Sequence, residues 1–204
     1  MGKKLIAFDM YHTCLDVQGE EQIFPFLSEQ LSLPKQEIQN TLLTTNITID
    51  EMIQSVSLSP KHKEQLLKKY NHMLQEVISS ITTFPETIPT LQALKQQGYK
   101  TAVVSNVSTP FIPPINNFLD GYFDYKILSC EVNVAKPQKE IFELLQHTSN
   151  IPTKDILMIG DSIKSDVEGA KNAGIDALWI NREGKENSTE YPTITNLQTI
   201  FEIL

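Results

Sequence analysis

A carboxylate that closes an apolar run is the first residue in this chain with chemical promise. Leu5-Ile6-Ala7-Phe8 reads as a buried strand and stops at Asp9, which is followed by Met10-Tyr11-His12-Thr13. Three further breaks have a related form. Ser105-Asn106 ends one apolar run, Gly160-Asp161-Ser162 ends another, and Lys136 stands just before Pro137 at an expected helix start, with Asp166 a little beyond Asp161. If these ends share one crevice, they assemble carboxylates, a hydroxyl, an amide and an ammonium. Carboxylates among oxygen-rich neighbours suit Mg²⁺, which takes hard oxygen ligands and keeps several waters. The metal and Lys136 together would neutralise a phosphoryl group, and a carboxylate can attack phosphorus to form an aspartyl-phosphate. Each residue also has a plain structural alternative. Asp9 and Ser105-Asn106 could be turn residues, and Lys136 a solvated charge. Asp161 and Ser162 could cap a helix, and Asp166 could serve the helix dipole. Coincidence at four separate ends is harder to accept than any one of these.

The elements that must position these groups alternate in type. From residue 87 the pattern predicts a helix over 87–97 ended by Gly98, a strand over 100–104 and a weaker helix over 108–118 interrupted by Pro113-Pro114. A strand over 125–128 follows, then a helix over 137–147 with Pro137 at its first position. Next come a strand over 156–159, a helix over 165–173 closed by Gly174, a strand over 177–180, a polar loop over 182–190 and a last helix over 197–200. Strands separated by helices of this length specify an α/β protein with a Rossmann-like, doubly wound parallel sheet. Parallel strands bring their carboxyl ends to one edge, which is where ligands bind in such sheets.

Residues 16–82 differ in character, being rich in Gln, Glu, Lys and Thr with apolar residues at helical spacing. Leu66, Leu67, Tyr70, Met73, Leu74, Val77 and Ile78 form one stripe after a Ser59-Pro60 start. Ile38 with Leu42, Met52 with Val56, and Ile23 with Leu27 and Leu31 suggest three shorter helices, the last with Pro25 in its first turn. The segment 16–82 is therefore expected to be an inserted all-helical subdomain, with 1–15 and 83–204 forming the α/β core domain.

The 204 residues carry a net charge of −8, which argues against a nucleic-acid footprint and against an anionic membrane surface. Arg182 is the only arginine, so bidentate arginine clamps on a carboxylate or phosphate are nearly excluded. Cys14 and Cys130 are far apart and imply neither a metal knuckle nor a disulfide framework. The apolar run after Lys3-Lys4 ends at Asp9, too early for a signal peptide, and no stretch approaches a membrane span. These features together lead to the expectation of a soluble, cytoplasmic protein.

The four breaks, in their order, resemble the motifs of the haloacid dehalogenase superfamily of hydrolases, and the resemblance runs across essentially the whole chain. Phe8-Asp9-Met10-Tyr11-His12-Thr13 is similar to the first motif, Val104-Ser105-Asn106 to the second, Lys136-Pro137 to the third, and Gly160-Asp161-Ser162 through Asp166-Val167-Glu168-Gly169-Ala170 to the fourth. The helical insertion resembles the cap of that superfamily. The resemblance implies that Asp9 is the nucleophile and that Ser105 and Lys136 bind the phosphoryl or leaving oxygen, with Thr13 and Asn106 in the same phosphate-binding pocket. It implies Asp161 as a metal ligand beside Asp9 and the backbone carbonyl of Tyr11, and Asp166 as a residue that orients metal waters or holds Lys136.

Two residues depart from the pattern. Phosphatases of the superfamily carry a second Asp two residues after the nucleophile, as general acid and then base, and Tyr11 stands there in this chain. Loss of a positioned proton donor costs roughly 10²- to 10⁴-fold on poor leaving groups. The dehalogenases of the superfamily do carry Tyr at this place, but they are metal-free, use a cap arginine and lack the Gly-Asp of the fourth motif. This cap holds no arginine, and Gly160-Asp161 is present. His12 replaces the small or flexible residue usual at this turn. It would either stand in for the missing acid or point to solvent or the cap. Glu20, Gln22, Phe24 and Phe26 fall near a possible entrance, although a solvated or core role is the plainer reading of each. The expected activity is a Mg²⁺-dependent phosphatase of small phosphorylated metabolites, restricted to activated esters by Tyr11. A metal-independent 2-haloacid dehalogenase and a binding or regulatory protein without turnover are the alternatives.

Overall fold

The computed structural model describes residues 2–182, 184 and 190–204, so that residues 183 and 185–189 of the polar loop lie outside the described residues. The chain opens with β1 (Leu5–Phe8) and a two-residue β2 (Leu15–Asp16), and then runs through helices α1 (Ile23–Leu31), α2 (Lys35–Thr44), α3 (Ile49–Ser55) and α4 (Pro60–Ser80). It re-enters the sheet domain through β3 (Thr82–Thr83), which pairs antiparallel with β2. The two crossings between the helical layer and the sheet layer thus lie side by side. Alternation follows: α5 (Thr87–Gln96), β4 (Lys100–Ser105), α6 (Ile112–Leu119), β5 (Tyr125–Leu128), α7 (Ser129–Val132), α8 (Lys139–Ser149), β6 (Ile156–Gly160), α9 (Gly169–Asn172), β7 (Asp176–Ile180) and β8 (Thr193–Ile194).

Six strands form one parallel sheet in the order β5-β4-β1-β6-β7-β8. The expected α/β, doubly wound class is therefore the observed one. Successive side chains of a strand face opposite sides, and β1 shows the consequence. Ile6 and Phe8 pack in a core with Leu91, Leu94, Ile115 and Leu197, whereas Leu5 and Ala7 pack on Phe142, Leu145, Val167 and Ala170. The first of these cores continues into the helical layer through Leu27, Leu42, Ile53, Leu66 and Val77.

Capping chemistry accounts for the helix starts that the spacing predicts. Ser59 accepts from the His62 N–H with Pro60 at the first helical position, and Thr48 forms a capping box with Glu51 at α3. Pro25 in α1, and Pro113 and Pro114 in α6, all sit in first turns, where a missing N–H breaks no intrahelical bond.

Several boundaries differ from the expectation. The helix expected from Pro137 begins at Lys139, because Ala135 through Gln138 form a turn: the Gln138 N–H donates to Ala135 O, and the Ala135 N–H donates to the Gln138 side chain. The peptide between Lys136 and Pro137 is cis. The region 108–118 splits into a 3₁₀ turn, Thr109–Phe111, followed by α6. The helix expected over 165–173 starts as a π-helical segment, Ile163–Glu168, before α9, and the last helix is a 3₁₀ segment, Leu197–Glu202. The short strands β2, β3 and β8 carry no apolar run long enough to be read from sequence. Both cysteines are buried and free. Among the described residues, no helix is long and apolar enough to cross a membrane.

Candidate active site

The strand register places the polar ends at one edge. Phe8 pairs with Val103 and with Ile159, so Asp9, Ser105 and Gly160-Asp161 leave the sheet together. The Asp9 N–H is held by Ile159 O at 2.8 Å. The chain then closes a tight loop in which the N–H groups of Cys14 and Leu15 both donate to Met10 O, at 2.8 and 2.9 Å, and the His12 N–H donates to Leu15 O at 2.7 Å. This curl requires a left-handed residue at position 12, where His12 has φ 61°. A left-handed backbone costs a non-glycine residue about 1–2 kcal/mol. The neighbouring hydrogen bonds offset that cost.

Lys136 Nζ lies 2.7 Å from Asp9 Oδ1 and 2.6 Å from Asp166 Oδ1, with side-chain exposures of 2%, 13% and 1% for Lys136, Asp9 and Asp166. The other oxygen of Asp166 accepts the Ser162 N–H at 3.0 Å. Asp166 is thereby spent on holding Lys136 and the start of the π-helical segment. Asn106 grips the same lysine by its main chain, accepting from Lys136 N–H and donating to Lys136 O, each at 2.8 Å. Its side-chain amide was expected among the phosphate-binding groups. The structure instead commits both amide atoms to positioning Lys136.

Carboxylate oxygens of Asp9, Asp161 and Asp166 lie within 4.8 Å of one another around this single ammonium. Burial opposes the charge of Lys136, but Asp166 and Asp9 more than offset it and hold its pKa above the ordinary lysine value. Burial pushes the Asp166 carboxyl up. Burial, and then the charge of Asp9, push Asp161 up to about 6. No cation forms an ion pair with Asp161 among the described residues. Three acids sharing one ammonium leave a surplus of negative charge that a hard divalent cation would cancel. Asp9 and Asp161, with the carbonyl of Tyr11 close by in sequence, are the oxygen donors that fit it.

Thr13 Oγ1 is buried and has no hydrogen-bond partner among the described residues, and Ser105 is 1% exposed. Tyr11, by contrast, donates its hydroxyl proton to Phe111 O at 2.7 Å, its ring meets Phe111 edge-on at 5.5 Å, and burial, followed by Asp9, raises its pKa above the ordinary tyrosine value. His12 points to the helical layer, with Nε2 2.7 Å from Glu20 Oε1.

Two further residues shape the site, in roles that their place in the sequence did not indicate. Arg182 Nε donates to His12 O at 3.2 Å, Nη2 donates to Thr13 O at 2.5 Å and Nη1 pairs with Glu86 Oε1 at 2.7 Å, while the guanidinium stacks 3.5 Å over Phe84. Burial works against the charge of Glu86, yet Arg182 holds its carboxyl below the ordinary range. The signal available in sequence was that Arg182 is the sole arginine. Gly160 is the second residue. A Cβ there would overlap the Asp166 side chain, so only glycine allows Asp166 to reach Lys136. Gly160→Ala is expected to destabilise the fold by about 1–3 kcal/mol. Thermal denaturation should show that loss together with a fall in activity larger than the loss of folded protein explains.

With this geometry in place, comparison with known proteins becomes informative. Residues 3–174 match the haloacid dehalogenase-like hydrolase family, and the chain belongs to it. Pyrimidine 5′-nucleotidase YjjG of Escherichia coli is 38% identical over 90 residues, 42% of this chain and 40% of the nucleotidase, so the match spans less than half of that relative's length. Haloacetate dehalogenase H-2 of Moraxella sp. is 29% identical over 193 residues, 88% of this chain and 86% of the dehalogenase. The solved structure of a HAD phosphatase from Thermococcus onnurineus has a TM-score of 0.66 at 28% identity and covers 98% of this chain and 97% of its own. The chain is thus a member of this hydrolase family, in which relatives named as nucleotidases and phosphatases stand beside relatives named as dehalogenases.

Proposed function

We propose that this chain is a Mg²⁺-dependent phosphohydrolase that acts on small, activated phosphate esters through an aspartyl-phosphate at Asp9. The observation that carries this reading is the fourth motif: Asp161 stands beside Asp9 with its pKa raised and no cation among the described residues paired to it, so the donor set favours a metal ion. Bound Mg²⁺ would supply charge neutralisation to the phosphoryl oxygens. Lys136, held by Asp166 and Asn106, keeps its ammonium against Asp9 and aims its remaining capacity at the same oxygens. Thr13 and Ser105 offer hydroxyl contacts. An Asp9 oxygen bonds to phosphorus while the ester oxygen departs with the electron pair of the broken P–O bond. Tyr11 has its proton bound to Phe111 O, so it donates none to that oxygen, and leaving groups that depart without protonation are favoured.

The dehalogenase alternative draws on Tyr11 and on relatives that are dehalogenases. The single arginine speaks against it, because the guanidinium is spent on Glu86 and on the carbonyls of His12 and Thr13 instead of a substrate carboxylate. Hydrolysis of p-nitrophenyl phosphate and of an alkyl phosphate, with Mg²⁺ and with EDTA, decides between the readings. Release of halide from 2-chloropropionate in EDTA would overturn the phosphohydrolase. Mg²⁺ binding without turnover on a broad ester panel would instead make this a binding protein. Tyr11→Asp is expected to raise turnover of the alkyl ester by about 10²-fold, because it restores a proton donor at the leaving oxygen.

The pKa of Asp161 adds a pH dependence. In the folded protein its carboxyl binds a proton more tightly than the unfolded value of roughly 4 allows. The metal-free protein therefore loses stability from this group as pH rises from about 4 to about 6. Mg²⁺ needs the carboxylate, so its affinity should climb with pH up to about 6 and level off above it. Calorimetric titration of Mg²⁺ at pH 5, 6 and 7 measures this, and a flat affinity would remove Asp161 from the metal shell.

A further inference from the structure

Between the loop after β1 and the four-helix layer lies a chamber of about 170 Å³. Phe24, Leu42, Ile49 and Tyr70 from the helices and Tyr11 and Phe111 from the core form its walls. Tyr11 is two residues from Asp9, and the chamber also reaches Asn106 beside Ser105, so a leaving group bound to phosphorus at Asp9 would extend into it. An apolar cavity of about 150 Å³ is enough to hold benzene. One six-membered ring therefore fits.

The polar atoms of the wall are few and unequal. The Tyr11 hydroxyl is bound to Phe111 O and the Asn106 amide to the main chain of Lys136. Two groups stay open. Glu20 places Oε1 on His12, while its Oε2 is buried without a hydrogen-bond partner among the described residues. Tyr70 is 6% exposed, and its hydroxyl makes no hydrogen bond among the described residues. No lysine or arginine among the described residues lines the chamber, and its His12 is paired with Glu20, so a second anionic group on the substrate would face Glu20 without a free counter-charge. A buried carboxylate oxygen with an empty lone pair calls for a donor.

Resting on the phosphohydrolase reading, we propose that the substrates are monoaryl phosphates whose single ring carries an N–H or O–H donor, which Glu20 Oε2 accepts while the Tyr70 hydroxyl makes a second contact. Both selectivities then agree. The ring fills the apolar chamber, and an aryloxide leaves with the P–O electron pair without needing the proton that Tyr11 does not supply. The phosphorus is transferred to the Asp9 oxygen, and water later releases it as inorganic phosphate.

The test compares phenyl phosphate, 3-aminophenyl phosphate and 4-aminophenyl phosphate, whose leaving groups have similar basicity, with acetyl phosphate as a small activated ester that has no ring. One hydrogen bond should give at least one aminophenyl isomer an advantage over phenyl phosphate of about three- to tenfold in kcat/KM. Glu20→Met should erase this preference and Tyr70→Phe should reduce it, with thermal denaturation showing that each variant is folded. If acetyl phosphate is hydrolysed but neither isomer surpasses phenyl phosphate, or if the preference survives both variants, the chamber proposal fails and the phosphohydrolase stands. If no ester in the set is hydrolysed, acetyl phosphate included, the phosphohydrolase reading fails and this proposal with it.

Discussion

Asp9→Asn should abolish phosphate release, with kcat falling by about 10⁴- to 10⁶-fold, the scale on which nucleophile removal acts in covalent catalysis. The substitution keeps the shape of the side chain and removes the attacking charge. It also removes one of the two carboxylate charges beside Lys136, at 2.7 Å, while leaving an amide oxygen there to accept and Asp166 at 2.6 Å to hold the ammonium. The fold should therefore survive, and an unchanged melting curve alongside lost turnover would separate chemistry from stability. Residual activity within tenfold of the parent would end the role of Asp9 as nucleophile. Trapping supplies a second readout: rapid acid quenching with ³²P-labelled ester should label the parent protein and leave Asp9→Asn unlabelled.

Lys136→Met should harm both stability and turnover. Among the described residues, the ammonium is the one direct ion-pair partner of the buried Asp166 and of the part-buried Asp9. Removing one member of a buried pair costs about 3–5 kcal/mol, because the charge that remains is neither paired nor hydrated. For a chain of this length, that corresponds to a fall of roughly 10 °C in melting temperature at pH 7. The cost should shrink as pH is lowered, since Asp166 already has its pKa pushed up by burial and takes a proton in place of the lysine. Adding Asp166→Asn to Lys136→Met should recover part of the stability and none of the activity. Recovery of activity in the double variant would mean that Lys136 acts only as a structural counter-charge.

How far the site was legible in sequence depended on whether a residue's role followed from its place along the chain. Asp9, Ser105, Lys136 and Asp161 could be picked out because each interrupts an apolar or helical rhythm, and parallel strands must bring such interruptions to one edge. The stripe from Leu66 to Ile78 announced α4, and Ser59-Pro60 announced its start. The π-helical segment Ile163–Glu168 and the turn at Ala135 through Gln138 had no such rhythm, because local hydrogen bonds of side chains and main chain determine both. Asn106 was legible as a polar group at a strand end. Its amide was not legible as a clamp on Lys136, whose backbone lies thirty residues further on.

From its sequence alone, this protein was readable as an α/β chain with a helical insertion, four polar breaks in order, one arginine, and tyrosine two residues beyond Asp9. These are properties of order, spacing and residue type, which a linear chain carries in full. Only the tertiary structure decided that the Tyr11 hydroxyl faces Phe111, that Arg182 spends its donors on Glu86 and the loop carbonyls, and that Gly160 must lack a Cβ to admit Asp166. Only it decided that Glu20 and Tyr70 line one apolar chamber, with Glu20 Oε2 buried and unpartnered among the described residues. The physical reason is direction. A hydrogen bond depends on where a donor points once distant segments are packed, and sequence spacing specifies neither the partner nor the angle.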